Sequence, residues 1–263
     1  MKQIRTIVSK EWADVMRNKL VFYMVALVPL LLTAIPVVML YILGRVPASE
    51  SDSQDLARML QNPIFAGMTP VEALQSAMAS SYLVLFLMMP LLVPVTIAAY
   101  SIVGEKLARS LEPLLATPIT TTQLLLGKGL AAALPGIIMA WFSYGVFLIF
   151  ARFFSVSDRV FRVFVNPMWL VAMFVLAPLL TVLAVSFGII VSSRVNDPRA
   201  AEQLGALLIL PLMILFIGPL TGFIMLNSTT FLLAAAAVAL LNVVMGYVGV
   251  KLFQRETILT RWK

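Results

Sequence analysis

A chain of 263 residues that is 61% hydrophobic and only 12% charged, with a mean hydropathy of +1.00, lacks the polar surface to face water on all sides. Soluble domains average about 25% charged residues. There is no cysteine and no histidine, which excludes a disulfide framework, a thiolate metal site and the usual proton shuttle. The formal charge of +7 raises nucleic-acid binding, but the placement of the basic residues along the chain accounts for it as topology and anionic-lipid contact.

The first segment, 1–19, sets Ile4, Ile7, Val8, Val15 and Met16 broadly on one helical face. Trp12 lies nearby and lysine or arginine opposite. This pattern predicts an amphipathic helix lying in the membrane interface. Glu11 and Asp14, and the length of the apolar run that follows, argue against a signal peptide. Beyond it, the charge-free stretches mark the spans, each needing about 20 apolar residues. They predict six transmembrane helices at about 20–43, 82–103, 129–150, 168–191, 204–226 and 231–250, the last two divided by Asn227-Ser228-Thr229-Thr230.

Lysine and arginine placement sets the orientation. With the N-terminus inside, the segments 1–19, 104–128, 192–203 and 251–263 are cytoplasmic and carry 14 of the 19 basic residues. Arg152, Arg159 and Arg162 are a local violation. The loop 45–80 is then extracytoplasmic. Thr69, Pro70 and Glu72 form a capping box that starts a helix running into span two, and Ser51 with Gln54 forms a weaker one. A loop of this length cannot build an independently stable ectodomain, so the chain reads as a single transmembrane domain, 1–263.

None of the six spans as drawn contains Asp, Glu, Lys or Arg. Ion-coupled carriers keep such residues for coupling, and intramembrane proteases need a metal-binding histidine, an aspartate pair or a Ser–Lys pair. No catalytic residue and no metal site is expected, and the chain is read as a non-enzyme. Pro29, Pro36, Pro90, Pro94, Pro178, Pro211 and Pro219 lie within the spans and predict kinks. Gly218/Gly222 and Gly188/Ser192 suit close helix packing.

One segment interrupts this pattern. In "GEKLARSLEPLLATPITTTQLLLGK", 104–128, Leu107, Leu111, Leu114 and Leu115 form an apolar stripe. Glu105, Lys106, Arg109 and Glu112 occupy much of the remaining surface. Pro113 and the pair Thr117-Pro118 break the helix, and Thr120 with Gln123 offers a capping box that opens span three. The stripe is open to a partner or to burial against the chain's own helix ends.

The segment resembles the first cytoplasmic loop of type-2 ABC exporter permeases. Gly104, Glu105, Lys106, Ser110, Leu111, Glu112, Leu114, Leu115, Thr117, Pro118, Ile119, Thr120, Gly127 and Lys128 match that family's pattern. Leu107, Ala108 and Arg109 depart from the usual acidic residues or glycine. "SSRVNDPRAAEQLGALLILP", 192–211, and "SKEWADVMRNK" match less specifically.

The resemblance implies an all-α integral membrane protein with six transmembrane helices, an N-terminal interfacial amphipathic helix and a cytoplasmic coupling helix between spans two and three. It also implies an exporter permease of the bacterial inner membrane, with both termini cytoplasmic, driven by two separate ABC ATPase subunits. A second permease copy or paralogue would complete a homo- or heterodimer. Glu105, Lys106, Leu111, Glu112, Leu114 and Leu115 would contact or support the ATPase, and Thr117 and Pro118 would fix the bend. ATP and magnesium belong to the partner, because Gly127-Lys128 lacks the rest of a P-loop: Thr122 and Gly129 stand where glycine and Ser/Thr are needed. Substrate-binding residues are not legible. A non-transporting membrane scaffold or sensor on the same fold, and an ion-coupled secondary carrier, remain as alternatives.

Overall fold

A computed structural model of the chain describes residues 2–45, 67–107, 120–220 and 227–252. The described residues are helical, without strands. Helix α1 (Lys2–Arg17) is followed by α2 (Lys19–Leu43), the backbone turning through an extended Asn18 (φ −84°, ψ 101°) whose side chain caps α2 by accepting from the amides of Leu20 and Val21. Next come α3 (Pro70–Leu83), a 3-10 turn (Val84–Met88) and α4 (Met89–Leu107). A long α5 (Thr121–Phe154) leads to α6 (Asp158–Phe164), α7 (Pro167–Val171), a π turn (Ala172–Leu176) and α8 (Ala177–Arg194). Helix α9 (Pro198–Ala206), a 3-10 turn (Leu207–Ile209), α10 (Leu210–Leu220) and α11 (Ser228–Leu252) complete the fold.

Among the described residues, six helical stretches are long and apolar enough to cross a membrane: Lys19–Leu43, Pro70–Leu107, Thr122–Phe154, Asp158–Arg194, Pro198–Gly218 and Ser228–Gly249. Both capping boxes form. The Thr69 amide donates to Glu72 Oε2 (2.7 Å) and the Thr120 amide to Gln123 Oε1 (3.2 Å). The Ser51–Gln54 box lies outside the described residues. The fifth apolar stretch begins at Pro198, ahead of the charge-free run, so Arg199 and Glu202 sit in its first turns. Asp197 explains the early start: its carboxylate accepts from the Arg199 amide, and Pro198 is pre-set for the first helical position.

The second stretch is the hub. Its most apolar window is 89% buried, against 11% for the sixth. Small residues let its neighbours approach closely. A Cβ on Gly136 would lie 2.7 Å from Pro94, and one on Gly188 would lie 3.1 Å from Ala98. Phe86, Phe147 and Phe164 then stack edge-on through the core, and Trp169 packs on Phe231. The outside is apolar: α2 exposes Tyr23, Leu27, Leu30 and Leu31, and α11 exposes Leu233, Leu240 and Val243. In water that surface would be an unstable patch; in a bilayer it is the solvent-facing side.

At the end of the bundle away from α1, one buried amide ties three segments. Gln75 Nε2 donates to the carbonyls of Leu40 (2.8 Å) and Phe154 (3.0 Å), and its Oε1 accepts from the Val156 amide (3.0 Å). The Phe154 carbonyl, at the end of α5, and the Val156 amide just beyond it need partners in a membrane, and the Leu40 carbonyl, which also accepts from the Gly44 amide, takes a second donor.

Candidate functional site

Helix α1 brings its own charges to the place where α4 ends and α5 begins. Glu105 is in the last turn of α4 and Lys128 in the second turn of α5, facing one another across the root of the 104–128 segment. Lys128 Nζ lies 2.9 Å from Glu105 Oε1 and 2.8 Å from Glu11 Oε1, and it donates to Ser101 Oγ at 2.6 Å. Those contacts engage all three ammonium donors. Lys10 closes the cluster from outside, 2.9 Å from Glu105, 3.4 Å from Glu11 and 3.2 Å from Asp14. Glu11, Glu105 and Lys128 are buried. Ions taken out of water persist only when paired in this way.

Two further contacts seat α1 on α5. A Cβ on Gly127 would fall 2.8 Å from Ile7 Cγ2, so this glycine is what lets the helices touch. The Trp12 indole N–H donates to the Ala131 carbonyl at 3.0 Å. In an unbroken helix that carbonyl would accept from residue 135, but Pro135 has no N–H to give. Pro135 therefore leaves a vacant acceptor, and Trp12 fills it. The inward face of α1 carries Ile7 and Glu11, while Met16, read from sequence as part of the apolar face, is 69% exposed.

Lys106 points to a different neighbour. Its ammonium donates to the carbonyls of Ser192 (2.7 Å), Ser193 (2.8 Å) and Val195 (3.2 Å), the last turn of α8. A cation there satisfies orphan carbonyls and complements the negative end of the helix dipole. Lower on the same face of α4, Thr96 Oγ1 donates to Glu202 Oε1 at 2.7 Å, and Tyr100 lies beside Arg199 and Glu202. A Cβ on Gly205 would fall 2.1 Å from Val95 Cγ1, so α9 also sits directly on α4.

Of the residues singled out from sequence, Glu105 and Lys106 are thus brought to the root of the segment, each bonded to a different part of the bundle. Leu111, Glu112, Leu114, Leu115, Thr117 and Pro118 lie outside the described residues, as do the breaks at Pro113 and the coupling helix as a whole. The first leucine of the stripe, Leu107, is 64% exposed. Sequence reasoning missed Glu11, Ser101 and the role of Lys128. The signal was present as two acidic residues, Glu11 and Asp14, on the otherwise basic helix α1.

The charges set a pH window. Burial pushes the Glu11 carboxyl up, but the Lys128 ammonium, the Ser101 hydroxyl and Lys10 together outweigh it and hold the group below its ordinary value of 4.5. Burial opposes charge on Lys10 too, yet its hydrogen bond to Glu105 and the neighbouring carboxylates hold it above its ordinary 10.5. A depressed carboxyl stabilises the folded state above its unfolded value; that contribution disappears as pH falls through the folded one. A raised lysine stabilises below its unfolded value and loses this as pH rises through the folded one. Docking of α1 is therefore expected to be flat between these two ordinary values and to weaken below 4.5. Amide exchange of residues 3–17 against pH measures this, and protection that falls steadily between pH 6 and 9 would contradict it.

Ser101 and Lys128 do meet, but the lysine comes to the hydroxyl as a hydrogen-bond donor and is committed to Glu11 and Glu105; no group of His, Cys, Asp and Glu suited to a metal occurs among the described residues. What it can do is mechanical: hold α1, α4, α5 and the end of α8 together around both ends of one segment. The profile of ABC-2 family transporter proteins matches residues 5–247. The chain belongs to the ABC-2 transporter family. No curated relative matches it. This ABC-2 permease is a multi-pass membrane subunit of an ABC transporter, a class that works with ABC ATPase partners. The match takes in α1, so the charged clasp lies within the region shared by the family.

Proposed function

We propose that this ABC-2 permease is the membrane-spanning subunit of an exporter in the bacterial inner membrane, with both termini cytoplasmic. Two separate ATPase subunits hydrolyse ATP, and a second permease copy or paralogue completes the transporter. The loop 104–128 is the coupling segment, presenting Leu111, Leu114 and Leu115 to the ATPase, with Glu112 beside them and Thr117 and Pro118 fixing the bend. The family match and the clasp support this reading. The observation that carries it is the anchoring of both ends of the segment, Glu105 on Lys128 and Lys106 on the α8 carbonyls. A docking segment mounted on a floppy stem would bend when pulled; one rooted in buried ion pairs passes the displacement to α1, α4, α5 and α8.

In this reading Glu105 and Lys106 support the partner contact from behind. Exposure of Leu107 fits a stripe that continues outward. The test is the double variant Leu111→Asp, Leu114→Asp, co-expressed with its ATPase. It is expected to insert normally but to lose co-purification and at least about tenfold of stimulated ATP hydrolysis, about 1.4 kcal/mol or more of interface free energy. An unchanged complex with unchanged stimulation would reject the docking face.

A further inference from the structure

Beside the clasp lies a cleft of about 270 Å³ between α1, the start of α2 and α4. Its lining combines the polar side chains of Lys10, Asp14, Asn18 and Ser101 with the apolar ones of Val21 and Ile97. Its level in the membrane is fixed by sequence. Asn18 is the turn between the charged α1 and the apolar α2, whose first residues expose Leu20, Phe22, Tyr23 and Met24. A cleft at that level opens where phospholipid headgroups meet acyl chains.

We propose that this cleft binds the headgroup of an aminophospholipid, with the primary ammonium on Asp14, the phosphate against Lys10 and the glycerol region on Val21 and Ile97. The charges favour an ammonium there. Around the cleft, the carboxylates of Glu11, Asp14 and Glu105 face the ammonium groups of Lys10 and Lys128, three against two. Lys128 is buried and committed to Glu11, Glu105 and Ser101. Lys10 is shared among Glu11, Asp14 and Glu105, and its side chain is 49% exposed. The Asp14 side chain is 52% exposed with only that shared lysine beside it among the described residues. An incoming ammonium can therefore take Asp14, freeing part of Lys10 for phosphate. A primary ammonium donates three hydrogen bonds, whereas a quaternary choline donates none, so the site distinguishes ethanolamine from choline headgroups.

The test uses the full chain in detergent micelles, titrated with phosphatidylethanolamine, phosphatidylcholine, phosphatidylglycerol and a long-chain alkylamine, and read by native mass spectrometry and thermal unfolding. Phosphatidylethanolamine is expected to bind about tenfold more tightly than phosphatidylcholine, the scale of one charge-assisted hydrogen bond. Asp14→Asn is half-exposed, should fold, and is expected to reduce the preference to less than about twofold, while Asp14→Glu should retain it. Equal binding of the ethanolamine and choline lipids overturns the proposal. So does a preference that survives Asp14→Asn, or one that Asp14→Glu loses as completely. An alkylamine that binds as tightly as phosphatidylethanolamine overturns the headgroup assignment, because it carries no phosphate for Lys10. Tighter binding of phosphatidylglycerol than of phosphatidylethanolamine overturns the role of Asp14.

Discussion

Lys128→Met is expected to release α1 from the bundle. The substitution keeps the length of the side chain but removes the ammonium that compensates two buried carboxylates, Glu11 at 2.8 Å and Glu105 at 2.9 Å. Breaking a buried ion pair from one side costs about 3–5 kcal/mol, most of it from the charges left behind. Lys10 can still reach Glu105 but cannot cover both carboxylates in the same geometry. Amide exchange over residues 3–17 should rise sharply, and ATP hydrolysis by the partner should uncouple from the permease. Adding Glu11→Gln removes one of the two stranded charges and should restore a substantial part of the protection. A single variant indistinguishable from wild type in both measurements would show that the clasp carries no energy.

Gly205→Ala is the second large effect. The new methyl would lie 2.1 Å from Val95 Cγ1 and 3.2 Å from Val95 Cβ. Valine has few χ1 alternatives in a helix, so α9 must lift away from α4. Overpacking of this kind costs about 1–3 kcal/mol. The lift also draws Glu202 from Thr96, whose hydroxyl is buried and would lose its 2.7 Å acceptor contact. Thermal unfolding in micelles should therefore drop. Gly145→Ala is the matched control, since nothing lies within 4 Å of its added methyl, and it should be neutral or slightly stabilising through helix propensity. Equal behaviour of the two variants would refute close packing as the reason for glycine at 205.

The division between what sequence revealed and what it concealed follows residue by residue. Spans were legible because a bilayer demands long uncharged runs, and the two capping boxes because Thr69–Glu72 and Thr120–Gln123 are local patterns whose partners are three residues apart. The start of the fifth helix was not, because the apolar rule stops at Glu202 while the helix, capped by Asp197, does not. Pro135 illustrates the deeper limit. As a letter it signals a kink; its consequence here is a vacant carbonyl at Ala131 that only the fold brings to Trp12. Glu11, Glu105 and Lys128 are likewise ordinary charges in sequence, spaced 94 and 23 residues apart. Their meeting is a property of how α1 folds back on α5. Periodicity reports which face of α1 is apolar, but the choice of Ile7 and Glu11 as the packed residues depends on Gly127 opposite.

Helix α5 is long: its 34 residues extend about 51 Å at 1.5 Å each, well beyond a hydrocarbon core of about 30 Å. It is tethered near its start by Lys128 and at its end by the bond from Gln75 to the Phe154 carbonyl. Between them, Gly136 presses on Pro94 of α4 with no side chain to cushion the contact. That point divides the rod into arms of about 22 and 27 Å. Beside that contact Pro135 has removed one rung of the backbone ladder. The two arms thus meet at the weakest point of the helix, and each is held on its own: the foot by the ion pair to Glu105, the far arm by Phe147 on Phe86 and by Gln75.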